Sequence, residues 1–181
     1  GELLSIETIA GCMANNRIRA LFDKVARREI LPHLNAVSGM EPEAYVDLIK
    51  ERFANPRIVD TTRRVAFDGS SRHPGFIMPS IRDGLAAGTS VVGLALVEAI
   101  WARMCAGERE DGSTISPNDP FWDQLNTAAL AVKTTPQAWL EQRQYFGDLG
   151  DDPAFAEQFR EWLIMLWKDG LNATIDSYLQ A

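Results

Sequence analysis

Apolar side chains recur along this chain at the three- and four-residue spacing of a single helix face. Ile18, Leu21, Phe22 and Val25 form one stripe, and Tyr45, Leu48, Ile49 and Phe53 form the next in a segment opened by Pro42. From Val91 to Trp101 the apolar positions run nearly all round, interrupted by Glu98, so residues 90–106 are expected at the centre of a bundle. A polar residue precedes proline at Asn55-Pro56, Asp119-Pro120, Thr135-Pro136 and Asp152-Pro153. Each pair reads as a helix start, because the side chain can accept a bond from an orphan amide and proline at the first position has none to lose. Helices are expected over about 3–14, 16–34, 42–54, 56–66, 73–86, 90–106, 120–132, 136–146, 153–168 and 170–180, with kinks or ends at Pro32 and Pro79. Gly39, Gly88, Gly107 and Gly170 fall just past helix ends, and residues 108–114 read as a surface loop. No alternating strand pattern is present, so the fold class is an all-α multi-helix bundle.

Composition narrows the functional classes. The 181 residues carry 18 Lys and Arg against 25 Asp and Glu, a formal charge of −7, and 46% are hydrophobic. That is ample for a core and rules out a disordered chain. With no basic run longer than Arg27-Arg28 or Arg63-Arg64, the chain lacks the phosphate-neutralising surface of a nucleic-acid binder. Its longest apolar stretch falls well short of the about 20 residues that span a bilayer, so no membrane partner is expected. Cys12 and Cys105 read as two buried thiols of a reducing, cytoplasmic compartment. Together with His33 and His73 they make no metal-ligand spacing, and no metal is expected.

One segment departs from the bundle pattern. Phe67-Asp68-Gly69-Ser70-Ser71-Arg72-His73-Pro74 reads as a turn, with Arg64 eight positions before Arg72. A helix ending near Arg64 and a turn returning Arg72 would bring two guanidinium forks together. With Ser70 and His73 they would form a donor-rich wall for a polyhydroxylated or anionic small molecule. The plainer reading makes Arg63 and Arg64 a solvated helix face paired with Asp60 and Asp68.

The run from Ala54 to Gly84, ANPRIVDTTRRVAFDGSSRHPGFIMPSIRDG, resembles the signature stretch of the C-terminal domain in the mannitol dehydrogenase family, the polyol-specific long-chain dehydrogenases. Ser5-Ile6-Glu7-Thr8-Ile9-Ala10, Leu21-Phe22 and Arg28-Glu29-Ile30-Leu31-Pro32 resemble helices of the same domain, so the likeness extends over essentially the whole chain. It implies a fold like the 6-phosphogluconate dehydrogenase C-terminal domain, with residues 1–181 as the helical substrate-binding domain. It further implies a Rossmann domain upstream as partner, holding NAD or NADP, and metal-free hydride transfer between a sugar alcohol such as D-mannitol and a ketose such as D-fructose. Arg64 and Arg72 match family positions that contact the distal hydroxyls of the polyol, and Ser70 and His73 are further candidates for substrate binding.

The family's catalytic pattern Lys-x4-Asn-x2-His is absent. Lys50 and Asn55 have the first spacing, but Ile58 stands at the histidine position. No G-x-G-x-x-G occurs either. The chain is therefore expected to be a fragment, opening at Gly1 without an initiator methionine, that supplies one wall of a site and is inactive alone. The alternative is a non-catalytic helical ligand-binding or regulatory module, with Trp101, Trp122, Trp139, Trp162 and Trp167 available to line a pocket.

Overall fold

The computed structural model describes residues 1–34, 39 and 41–181. Among these, helices α1 (Ile9–Ala14), α2 (Asn16–Val25), α3 (Pro42–Ala54), α4 (Thr62–Ala66), α5 (Gly69–Arg72), α6 (Met78–Ala86), α7 (Val92–Cys105), α8 (Trp122–Ala131), α9 (Arg143–Phe146) and α10 (Pro153–Gln180) pack as an all-α bundle. The described residues hold no strand, only isolated bridges between Thr8 and Thr61 and between Glu108 and Thr114. Among the described residues no helix is long and apolar enough to cross a membrane.

α7 is the axis, as its all-round apolar pattern requires. Leu94, Ala95, Leu96, Ala99, Ala102 and Cys105 are fully enclosed, and α10 lies along it with Phe155, Phe159, Leu163 and Leu166 buried. Ala95, Ala99 and Ala102 share one face of α7, where small side chains permit close helix approach. The Trp162 indole donates to the Val92 carbonyl at 2.9 Å, tying α10 to the first turn of α7. Trp101, Trp122, Trp139 and Trp162 all belong to this core, so they do not line an open pocket.

Helix ends are closed largely by carboxylates from distant parts of the chain. Glu29 is buried at 2% exposure and accepts from Gly93 N and Leu94 N, both at 2.8 Å, at the start of α7, and from the Tyr178 hydroxyl at 3.2 Å. Burial and the Glu29 carboxylate push the Tyr178 phenol up. Glu110 accepts from Leu171 N at 2.9 Å, where α10 restarts after Gly170. Gly170 (φ 81°, ψ 171°) breaks the helix there, and a Cβ on it would lie 2.7 Å from Glu110 Oε2, so both backbone and space require glycine.

Several expected boundaries hold, and the exceptions have local causes. α3 begins at Pro42 and ends at Ala54, Asp152 caps α10 through Ala154 N and Phe155 N, and Gly39, Gly88, Gly107 and Gly170 all have positive φ. Asn55-Pro56 does not start a helix: Asn55 closes α3, its side chain accepts from Arg57 N at 3.0 Å, and α4 starts only after Thr61, whose hydroxyl accepts from Arg64 N. Thr135-Pro136 opens a single 3-10 turn, Pro136–Trp139. The expected helix over 3–14 is divided by Ser5, at φ 56°, into a 3-10 turn Glu2–Leu4 and α1. Pro79 does not end its helix. The chain stays helical from Gly69 to Ala86 by widening to a π turn at His73–Ile77, just upstream of a residue that offers no amide. A second π turn, Ala26–Ile30, carries Glu29. The 108–114 loop is at the surface but not idle: Arg109 bonds Glu2, and Asp111 accepts from Ser5 Oγ at 2.7 Å.

Glu29→Ala would leave two buried amides and a phenol without an acceptor, and should lower stability by about 3 kcal/mol in urea denaturation, given roughly 1–3 kcal/mol per orphaned group. An unchanged midpoint would contradict the assignment. Hydrogen bonds from Ser113 and Ser5 hold the Asp111 carboxyl down at about 2, below the ordinary 3.8. A depressed carboxyl gives stability that is complete above the unfolded value and lost as pH falls through the folded one. Asp111→Asn should therefore flatten the loss of stability between about pH 4 and 2, measured as urea midpoint against pH.

Candidate functional site

The segment singled out in the sequence forms a sharp corner between α4 and α5. Asp68 is left-handed (φ 62°, ψ 42°), a conformation aspartate tolerates better than most residues. Its carbonyl accepts from Ser71 N at 3.2 Å and Arg72 N at 3.1 Å. Segment 116–119 clasps the corner from the side. Arg63 donates to the Ser116 and Pro117 carbonyls at 3.1 and 2.7 Å, buried Asn118 donates to the Arg63 carbonyl at 3.0 Å, and Asp119 accepts from Ser70 N at 2.8 Å. Underneath, Gly69 sits on the Trp101 indole: a Cβ at 69 would lie 2.6 Å from Trp101 Nε1. This close approach, more than any backbone angle, explains the glycine.

The corner is then fixed to the core through His73. Its ring stacks on Trp101, with centroids 4.1 Å apart and planes 12° from parallel, and Nδ1 lies 2.7 Å from Glu98 Oε1. Glu98 is wholly buried in α7, and its other oxygen has no hydrogen-bond partner among the described residues. Trp101 in turn meets Trp139 edge-on at 4.9 Å and Tyr145 at 6.2 Å. The Cys105 thiol, one helix turn further along, is pushed up by burial and is no nucleophile.

The four expected site residues occupy different environments. Arg64 is exposed on α4 and held by Asp60 through Nε at 2.6 Å and through Nη2, as the plainer reading anticipated. The Arg64 guanidinium holds the Asp60 carboxyl below its ordinary range. Arg63 and Asp68 do not join that ion-pair face; Arg63 goes to the two carbonyls instead. Arg72, at the end of α5, is exposed, and its guanidinium makes no hydrogen bond or ion pair with the described residues. Ser70 is buried, held by its amide, and His73 is bound to the core with its side chain 18% exposed. Ser70, Arg72 and His73 thus share one helical run, while Arg64 lies on the other side of the Asp68 bend.

Four hollows of about 210–480 Å³ on the described surface are lined by other side chains, so they do not enclose this corner. Around it stand exposed apolar residues, Val65, Phe67, Phe76 and Phe121, with Val59 86% exposed. The spacing match at Lys50 and Asn55 is accidental: Lys50 pairs with Asp23 at 2.5 Å and Asn55 closes a helix.

Dinucleotide phosphates favour free amides at a helix N-terminus following a glycine-rich turn. Here the first amides of α2, α5, α7 and of both parts of α10 are occupied by Asn15, Asp119, Glu29, Asp152 and Glu110. Four of those five groups are carboxylates that would repel a phosphate, so these helix starts do not fit the pyrophosphate of NAD or NADP. Nor do the described residues gather three or more His, Cys, Asp or Glu side chains suited to hold a metal ion.

Gly69→Ala should force Trp101 or the corner to shift, at a cost of about 1–3 kcal/mol, typical of overpacking. The shift should change the near-ultraviolet circular dichroism of the stacked indole. A variant with wild-type stability and spectrum would show that the contact is not tight.

Comparison with known proteins agrees with this architecture. A mannitol 2-dehydrogenase of Cereibacter sphaeroides is 42% identical over 179 residues, which is 99% of this chain and 38% of that protein. One from Phaeosphaeria nodorum is 33% identical, covering 98% of this chain and 31% of its own length. The structure of Pseudomonas fluorescens mannitol 2-dehydrogenase in ternary complex with NAD and D-mannitol superposes with a TM-score of 0.93 at 26% identity, over 98% of this chain and 36% of that one. A substrate-free D-sorbitol dehydrogenase shares the fold, with a TM-score of 0.84 at 21% identity, over 96% of this chain and 36% of that one. The chain thus spans about a third of the length of these relatives. The sequence profile of the mannitol dehydrogenase C-terminal domain matches residues 1–167, and the chain belongs to that family.

Proposed function

We propose that residues 1–181 form the substrate-side helical domain of an NAD(P)-dependent, metal-independent polyol dehydrogenase. It would interconvert a D-mannitol-like sugar alcohol and a D-fructose-like ketose in the cytoplasm. The observation that carries this reading is the corner at Asp68–His73, a rigid turn fixed to the core that offers an uncommitted guanidinium, Arg72, on a chain whose family is that of mannitol dehydrogenases. The cofactor and the Lys-x4-Asn-x2-His machinery belong, in this proposal, to a Rossmann domain and a following helix upstream of Gly1, and the chain alone is inactive. That domain is also the proposed partner for the exposed apolar rim of Val59, Val65, Phe67, Phe76 and Phe121, which a lone domain leaves in water.

Chemistry at the wall is recognition rather than bond-breaking. A polyol presents a row of hydroxyl oxygens, and a guanidinium presents a planar fork of donors that can engage two neighbouring oxygens at once. Arg72 has all of its N–H groups available for this among the described residues. Arg64, aimed by Asp60, retains donors on Nη1. His73, the residue next to Arg72, adds its partly exposed ring, and Ser70, at 7% exposure, holds the corner through its amide. The mannitol-bound relative supports this substrate class, and the trans-capped helix ends support placing the cofactor's phosphates elsewhere.

In the full-length enzyme, Arg72→Ala should weaken polyol binding by about 1.5–3 kcal/mol, roughly 10- to 150-fold in the Michaelis constant, as for a hydrogen bond to a charged group. The assay is polyol-dependent NAD(P)H formation with chelator present. An unchanged constant would remove Arg72 from the site, and activity abolished by the chelator would contradict the metal-free reaction.

A further inference from the structure

We infer that Glu98 is a positioning residue that acts through His73, holding the imidazole so that its Nε2 is presented to a substrate hydroxyl. The inference rests on the polyol reading above and adds a contact beside those of the arginines.

Three features of the geometry point the same way. Glu98 Oε1 lies 2.7 Å from His73 Nδ1, so the carboxyl group engages that nitrogen. Secondly, the stack on Trp101 fixes the ring plane, so that the bond to Glu98 sets which edge of the ring faces away from α7. Thirdly, Nε2 has no partner among the described residues while the side chain keeps 18% exposure. Nε2 is therefore the ring nitrogen left available, on the residue next to Arg72. Glu98 itself is entirely enclosed and touches no substrate. Carboxylates that fix the tautomer of a histidine from behind are a common device for setting what the other nitrogen does.

The rival explanation is structural: a buried carboxylate needs a donor, and His73 supplies it. His73→Asn separates the two. An asparagine amide can reach Glu98 from much the same position as Nδ1, but ends short of Nε2. In the full-length enzyme, H73N is expected to keep its melting temperature within a few degrees and kcat within twofold. The Michaelis constant for D-mannitol should rise about five- to tenfold, the loss of one hydrogen bond. A folded H73N with an unchanged Michaelis constant would overturn the inference, because Glu98 would then need only a donor. Should H73N fail to fold, the wild-type enzyme labelled with 15N-histidine decides. The His73 Nε2 resonance is expected to move when D-mannitol is added to the cofactor-bound enzyme, and no movement at saturation overturns the inference. Wild-type enzyme that neither binds nor oxidises any polyol would overturn the functional reading beneath it, a result distinct from either outcome at His73.

Discussion

A helix enclosed on every side can keep a polar group only if some other part of the chain brings it a partner. α7 is such a helix, and its polar atoms account for much of the surrounding architecture. At its start, Gly93 and Leu94 amides require an acceptor, and the π turn at Ala26–Ile30 delivers Glu29. In its middle, Glu98 requires a donor, and the helix that opens at the Asp68 corner delivers His73. Near its end, Arg103 donates to the Glu108 carbonyl at 2.7 Å and lies 3.7 Å from Glu110. Glu110 in turn closes the second half of α10. Leaving any of these unpaired would cost more than forming the pair gains, so the partners specify which elements sit beside α7 as well as stabilising them.

The same economy limits what the chain can bind. Helix N-termini are the natural seats of phosphate, but those of α2, α5, α7 and both parts of α10 already hold side chains of the chain itself. What the surface offers instead is donor-rich and faces outward at one corner, where Arg72 stands on a turn gripped by Asp119, Asn118 and Trp101. On the reading proposed above, the domain supplies recognition and leaves the reacting groups to its partner. A chain spanning about a third of the length of its relatives is in keeping with such a division of labour.

The all-helical fold, the central place of residues 90–106 and the glycine-marked helix ends were legible because each depends on residues within a turn or two of one another. One misread boundary has a distant contact behind it. Asn55-Pro56 has the form of a helix start, yet Thr61 caps α4 instead, its backbone held beside Thr8. The trans-caps were invisible for the same reason: Glu29 and Gly93 are 64 residues apart, and Glu110 and Leu171 are 61 apart. Glu98 did leave a signal, as the one charge in the apolar run from Val91 to Trp101. Nothing local named His73 as its partner, since 25 residues and a corner lie between them. Arg64 and Arg72 were legible as a motif, and the Asp60–Arg64 pair was open to view at its four-residue spacing, whereas the absence of a partner for Arg72 among the described residues is a tertiary fact.

The account turns on the corner being a rigid platform anchored in the core rather than a loose surface turn. Native-state amide hydrogen exchange at Ser70, Ser71 and Arg72 tests this directly, because these amides donate to Asp119 and to the Asp68 carbonyl. Exchange at all three only through near-global unfolding, as slow as in the middle of α7, is the predicted result. Exchange at the rate of an exposed loop would contradict it.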